Sequence, residues 1–359
     1  MATGNLAAVF PGPGKTLEVT TVEVNHPGAG EVLVRNHAVA IQPLDAKMLL
    51  AGYGGGGALE SFPALLGTGG AGVVEEVGEG VTGLAVGDRV VFDTRAYVKA
   101  DVNRREGTWQ KLVISDARTT AKIGDTAFEQ AVLIDFPLQT AVGALHVFLG
   151  MAVPGSGSSE DKVLIWGAGG AVGSYAVQYA KSVSSVDSSM IRKLSINTFQ
   201  VGHTVVVTAS PRDFERQKRL GASEMIDYKA ADAVDRLRQL GPYKYLFTAS
   251  GDPASQKALA SLLEAQGGGE FASVLGGEVE LPSNVQRVYR AFSQAAQQEE
   301  YSDWRAWWYR EYLPKVLREG LVETVKYTKV PGGLGALQQA STNVFEGKVR
   351  GKLIVDPQE

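Results

Sequence analysis

The chain has 359 residues, 44% of them hydrophobic and 21% charged, with a formal net charge of −4. That length exceeds one ordinary core and predicts two domains. The acidic balance, without a Lys/Arg-rich block, argues against nucleic acid as a partner. No cysteine is present, which removes disulfides, thiolate nucleophiles and Cys-ligated zinc together and fits a reducing cytoplasm.

Residues 1–10 carry no charged leader ahead of an apolar core, so no secretory signal is expected. From residue 5 to 34 the pattern predicts short alternating strands, with turns at Pro11-Gly-Pro-Gly14 and Pro27-Gly-Ala-Gly30. Strand-like runs at 72–77, 89–92 and 110–114 extend this into a small, mostly antiparallel β domain over residues 1–135. The apolar stretch 131–153 is broken by Asp135, Pro137, Gln139 and His146, which are costly at bilayer depth. It reads as a buried helix joining two domains, and no membrane association is expected.

Beyond residue 135 the text changes. Strand-like segments at 162–166, 204–208, 224–227, 245–249 and 270–275 alternate with helical ones. That order predicts an α/β, doubly wound parallel sheet over residues 136–295. The tail, 296–359, should hold an aromatic-rich helix at 301–318, a strand at 324–330, a helix at 334–345 and a strand at 352–355, and return to the first domain. Between Lys181 and Val201 a polar segment interrupts an otherwise ordinary helix–turn–strand. It reads as an insertion over 182–200, genuine or a retained intron.

The strongest chemical signal is Val163-Leu-Ile-Trp-Gly-Ala-Gly-Gly-Ala-Val-Gly173, a strand running through glycines into an amphipathic helix. Such a turn binds a dinucleotide. The backbone of Gly167, Gly169, Gly170, Ala171, Val172 and Gly173 can approach a pyrophosphate, and the helix start offers its free N–H groups. The second strand ends in Ala209-Ser-Pro-Arg-Asp213 with no carboxylate at the strand end to grip a ribose 2′-hydroxyl. Ser210 and Arg212 suit a 2′-phosphate instead, which favours NADPH over NADH. The same residues also read as a capping box, resting on Ser210 and Asp213. Tyr228, after the third strand, is either an adenine-side contact or a plain surface tyrosine. Backbone at Ser250 and Gly251, and at Val274, Leu275 and Gly276, should meet the nicotinamide end, because ligands sit beyond the carboxyl ends of parallel strands. Gly12-Pro-Gly-Lys-Thr16 lacks the first glycine of a P-loop and is rejected as one. None of the four histidines has metal-ligand spacing.

Several stretches carry a family resemblance: Gly30-Glu-Val-Leu-Val34, Ala40-Ile-Gln-Pro-Leu-Asp-Ala-Lys47, Gly67-Thr-Gly-Gly-Ala-Gly-Val-Val-Glu-Glu-Val-Gly78, Val86-Gly-Asp-Arg-Val90, the glycine turn, and Glu346-Gly-Lys-Val-Arg-Gly-Lys-Leu-Ile-Val355. By these the chain resembles the medium-chain dehydrogenase/reductase superfamily over nearly its whole length. Within it, the chain is most similar to zinc-independent fungal enoyl reductases that serve polyketide synthases in trans, and to quinone oxidoreductases. Asp45-Ala-Lys47, Ala209-Ser-Pro211, Gly221-Ala-Ser-Glu224 and Asp227-Tyr228 carry that narrower likeness.

The resemblance implies a GroES-like β-rich catalytic domain (1–135, completed by 296–359) and a Rossmann domain (136–295). Positions matching the zinc ligands of metal-dependent relatives are Gln42, Thr68-Gly69 and Phe136, which offer neither thiolate nor imidazole, so no metal is expected. Gly69 departs from many zinc-free relatives, which have Asp there. Lys47 is implied to face the nicotinamide, where it would stabilise an enolate or relay a proton; a solvated lysine is the bland alternative. Thr140 is implied to lie near the nicotinamide at the start of the joining helix, with a helix cap as its alternative. Tyr53 is a third, weaker candidate. Trp304, Trp307, Trp308 and Tyr312 form a stripe that is either packing or the lining of an acyl channel.

The expected function is NADPH-dependent reduction of the C=C bond of an α,β-unsaturated carbonyl, as a trans-acting enoyl reductase on a free or acyl-carrier-bound substrate. A polyketide synthase would then be a partner, and the protein a cytoplasmic monomer or homodimer. A quinone or enone reductase, or a silent cofactor-binding protein, are the alternatives.

Overall fold

The buried runs of the sequence set the sheets. In the computed structural model, which describes residues 4–53, 59–97, 99–154, 161–183 and 203–359, the strand Glu31–Ala40 buries Val32, Val34, Ala38 and Val39. It bulges twice, between Leu33 and Val34 and between Asn36 and Ala38, which lets one strand serve several neighbours. Across the sheet the order is Tyr327–Lys329, Lys352–Val355, Glu31–Ala40, Gly69–Val77, Arg89–Asp93 and Thr120–Lys122, with Leu112–Asp116 also paired to Glu31–Ala40. A three-stranded sheet of Glu18–Val22, Asn5–Phe10 and Ala64–Leu65 accompanies it.

Packing divides the chain into two compact units, Met1–Phe136 with Ala296–Glu359, and Pro137–Ala295. In the first unit the helices Pro43–Ala51 and Leu337–Phe345 share one core with Phe10, Ile41, Trp109, Leu353 and Val355. Fully burying side chains such as Phe10 or Leu337 contributes about 1.5–3 kcal/mol each. The tail thus completes the core begun by the first residues.

The second unit is a six-stranded, all-parallel sheet. Its order is Glu224–Asp227, Thr204–Ala209, Lys162–Trp166, Tyr245–Thr248, Gly269–Ser273 and Val285–Tyr289. Val163, Leu164 and Ile165 are fully buried, as the central strand of a sheet covered on both faces requires. From Lys162–Trp166 the chain proceeds first to one neighbour and later to the other. That reversal opens a crevice at the carboxyl ends.

Three local features depart from the sequence reading. Val285–Tyr289 is a sixth parallel strand that no apolar run announced. The aromatic helix is broken: Ser302–Trp307 passes through a widened π turn, Trp308–Tyr312, into Leu313–Glu319. Pro314 explains the break, because it has no N–H to bond back to the carbonyl of Arg310. The joining helix starts at Phe128, three residues before the apolar stretch, and carries Pro137 within it, so it begins well before Thr140, which the resemblance placed at its start. Residues 182 and 183 finish the helix Ala171–Val183. The remainder of the expected insertion lies outside the described residues. Among the described residues one helix, Phe128–Phe148, is long and apolar enough to cross a membrane, and 72% of its apolar window is buried.

Candidate functional site

The glycine turn follows directly from Lys162–Trp166. Gly167 adopts a left-handed φ of +86°, which lets the chain turn sharply off the strand. Two bonds to the second strand fix it: the Gly167 N–H donates to Thr208 Oγ1 at 3.0 Å, and the Ala168 N–H to the Thr208 carbonyl at 2.9 Å. Buried Gln217 donates from Nε2 to the Ala168 carbonyl at 2.9 Å. Gly173 must be glycine, since a β-carbon there would lie 2.8 Å from Ala168 Cα and nearer still to the Gly167 carbonyl. By contrast, a β-carbon on Gly170 would meet nothing nearer than the Gly167 oxygen at 3.9 Å. Gly169 and Gly170 are exposed, and Ala171, Val172 and Gly173 open the helix with N–H groups that have no partner within it. The cradle therefore has the open space, the bare backbone and the dipole end that a pyrophosphate needs.

Beside the cradle stand Ser210 and Arg212. Ser210 is half-buried and extended (φ −69°, ψ 144°), and its hydroxyl makes no cap. The capping box is not formed; the link is a backbone bond from the Asp213 N–H to the Ser210 carbonyl, 2.9 Å, around the short turn Pro211–Asp213. The Asp213 carboxylate instead leans over Gly169, 3.2 Å from where its β-carbon would be, with Arg212 Nε 3.8 Å away. The Arg212 side chain is 64% exposed. Tyr228 is 42% exposed, and the Lys229 ammonium stands 5.7 Å from its ring centre.

At the other end of the crevice, loops after the fourth and fifth strands come together. Gly251, at φ +65°, approaches so closely that a β-carbon would lie 2.8 Å from the Leu275 nitrogen. Thr248 Oγ1 accepts from the Gly251 N–H at 2.9 Å, lies 3.2 Å from Ser250 Oγ, and donates to Ser255 at 2.9 Å. The Val274 N–H reaches the Thr248 carbonyl at 3.2 Å, and the Ser273 hydroxyl bonds the Leu275 carbonyl at 2.7 Å. The sequence reading missed Gln256 here. It is 1% exposed and donates from Nε2 to the carbonyls of Gly251 (2.6 Å) and Gly276 (2.9 Å).

Thr140 belongs to this same unit. It lies half-buried in the last turn of Phe128–Val142, so it caps no helix start.

Lys47 belongs to the first unit, half-buried on the helix Pro43–Ala51, its ammonium 5.9 Å from the Tyr53 ring centre. Two residues earlier, Asp45 Oδ2 caps the helix by accepting from the Gln42 N–H at 2.8 Å. Burial pushes the Asp45 carboxyl up to about 7. The Lys352 ammonium, wholly buried and pulled down to about 8 by desolvation, hydrogen-bonds the Gln42 side-chain oxygen. A single lysine inside the apolar strand Lys352–Val355 was the only signal for this cluster. Among the described residues no group of three His, Cys, Asp or Glu could hold a metal ion.

A second buried pair stands nearby in the chain. Asp93 accepts from the Thr94 N–H at 2.9 Å and the Tyr97 hydroxyl at 3.2 Å, and Asp135 from Trp308 Nε1 at 3.2 Å. Burial holds Asp93 well above its ordinary range, reinforced by the Asp135 charge, and pushes Asp135 up to about 7. Trp308 is fully buried and stacks on Trp304 at 5.7 Å, while Trp307 stacks on Tyr312 at 4.6 Å. The aromatic stripe is packing.

Comparison with known proteins agrees with this architecture. Residues 28–125 match the alcohol dehydrogenase GroES-like domain. A trans-enoyl reductase of Aspergillus terreus is 33% identical over 272 residues, 73% of this chain and 82% of the relative. A dehydrogenase of Emericella nidulans is 30% identical over 308 residues, 79% of this chain and 81% of the relative. Among solved structures, the CurK enoyl reductase covers 98% of this chain and 99% of its own at a TM-score of 0.72 and 18% identity. A Pseudomonas syringae quinone oxidoreductase covers 99% and 100% at a TM-score of 0.71 and 22% identity. The two structures establish the shared fold, and the two fungal relatives establish kinship. The chain therefore belongs to the medium-chain dehydrogenase/reductase superfamily, oxidoreductases that use nicotinamide cofactors.

Proposed function

We propose that this protein is an NADPH-dependent, zinc-free enoyl reductase that acts in trans on an α,β-unsaturated thioester of polyketide type. The observation that carries the cofactor half is the bare backbone at Gly170, where a β-carbon would meet nothing nearer than 3.9 Å, followed by the free N–H groups of the helix start and standing beside an exposed arginine. The enoyl half is supported by kinship with the Aspergillus terreus enoyl reductase.

When bound, the reduced nicotinamide supplies a hydride to the β-carbon. The chain's own residues do the rest. N–H groups of Gly170, Ala171, Val172 and Gly173 hold the pyrophosphate, and Ser210 with Arg212 holds the 2′-phosphate through charge-assisted bonds. Backbone at Ser250, Val274 and Leu275 fixes the nicotinamide ring, with Thr140 as a further contact. Lys47 stabilises negative charge on the carbonyl oxygen and delivers a proton to the α-carbon, so the double bond gains one hydride and one proton. No Lewis acid is needed for this step. The donor chemistry supports that, because Gln42 already serves the Lys352 ammonium.

The test is NADPH consumption with a crotonyl or longer enoyl thioester, a quinone, or no acceptor. Turnover with the thioester is expected. Turnover with the quinone alone would replace the substrate class by that of a quinone reductase, and binding without turnover would make the protein a silent cofactor carrier.

A further inference from the structure

The two loops assigned to the nicotinamide end are tied to each other by one side chain that no chemical motif announces. Gln256, in the first turn of the helix Pro253–Ala265, is buried and donates from Nε2 to Gly251 O at 2.6 Å in the fourth-strand loop. The same nitrogen donates to Gly276 O at 2.9 Å in the fifth-strand loop. Its amide oxygen accepts from Arg287 Nη1 at 2.7 Å, and Arg287 Nη2 donates to the Gly277 carbonyl at 2.6 Å. The direction of the amide is fixed by its surroundings. A guanidinium only donates and two carbonyls only accept, so the amide nitrogen must face the loops and the oxygen must face Arg287.

Beside the backbone bond from the Val274 N–H to the Thr248 carbonyl, packing also holds the loops together. Gly251 presses against the Leu275 backbone, and Gly276 lies under the Tyr289 ring, a β-carbon on it falling 3.0 Å from that side chain. The spacing of the loops is therefore set by packing on one side and by the Gln256 amide on the other.

We infer that Gln256, oriented by Arg287 from the sixth strand, is a positioning residue that presets the loops around the nicotinamide half of the coenzyme. It does so without contact with the adenine half. The inference rests on the coenzyme reading proposed above.

The test separates the two halves of the ligand. Gln256→Glu keeps the size and the partner Arg287 but replaces the donor facing two carbonyls by an acceptor. Calorimetric titration should show NADPH affinity falling about ten-fold or more, with 2′-phospho-ADP-ribose, which lacks the nicotinamide, bound as by wild type. Arg287→Gln frees the amide to turn over and should shift NADPH in the same direction by a smaller factor, again sparing the fragment. Lys257→Ala, exposed on the same helix, should change neither ligand. Equal losses for NADPH and the fragment would make Gln256 merely structural and overturn the inference, as would no loss for either variant. Wild-type protein that bound neither ligand would overturn the coenzyme reading itself, a failure visible before any variant is made.

Discussion

A β-carbon on Gly173 would collide with the carbonyl oxygen of Gly167, so the helix Ala171–Val183 packs against its own turn only because position 173 is bare. This contact holds the first N–H groups of the helix over the cradle. Gly173→Ala should cost about 1–3 kcal/mol of stability by overpacking. Calorimetry should also show NADPH binding weakened at least ten-fold, because the N–H groups shift. A variant with wild-type melting and wild-type affinity would show that the contact is not needed.

Arg212 extends from the end of the second strand beside that cradle. Arg212→Ala should weaken NADPH by ten-fold or more, the worth of about 1.5–3 kcal/mol for hydrogen bonds to a charged group, while NADH changes little. Titration with both coenzymes checks it. Equal losses would remove Arg212 from the 2′-phosphate.

Lys47→Ala should lower turnover of an enoyl thioester by about 100-fold, the usual worth of a positioned proton donor. NADPH affinity should stay near wild type. A parallel loss of coenzyme affinity, measured by fluorescence titration, would assign Lys47 to binding.

The buried carboxyls predict an unusual pH dependence of stability. Asp135 is held at about 7 against an ordinary 3.8, and Asp93 is raised in the same direction. Between those values the folded protein binds more protons than the unfolded chain. This contribution is fully present below the ordinary value and is lost as pH rises through about 7. Asp135→Asn keeps an acceptor for Trp308 but cannot ionise. Thermal melts from acid to mildly alkaline pH should show a shallower decline for the variant and a higher melting temperature above neutrality. Parallel curves would contradict the assignment.

What could be seen in the sequence follows from how local each signal is. The glycine turn is written in eleven consecutive residues, and the parallel strands before and after it are continuous apolar runs such as Val163-Leu-Ile-Trp166. Fold class follows from them. Val285–Tyr289 escaped notice because an edge strand reading Val-Gln-Arg-Val-Tyr has no apolar run, with Gln286 and Tyr289 exposed. The resemblance put Thr140 at the start of the joining helix, whereas the helix begins at Phe128 and runs straight through Pro137, so that Thr140 lies near its end. Ser210-Pro-Arg-Asp213 has the letters of a capping box, yet its serine hydroxyl is not used as one. Gln256 carried no signal and Lys352 only a faint one, for another reason. Gln256 reaches backbone carbonyls five and 20 residues away and a guanidinium 31 away, and Lys352 a side chain 310 away, and no local motif marks either set.

The proposed reaction is defined by where a hydride goes. Protein loaded with NADPH deuterated at the transferring position of nicotinamide C4 should, when mixed with an enoyl thioester, give a saturated thioester with one deuteron at the β-carbon by mass spectrometry. Product without label at that carbon, or coenzyme that stays reduced beside the thioester, would contradict it.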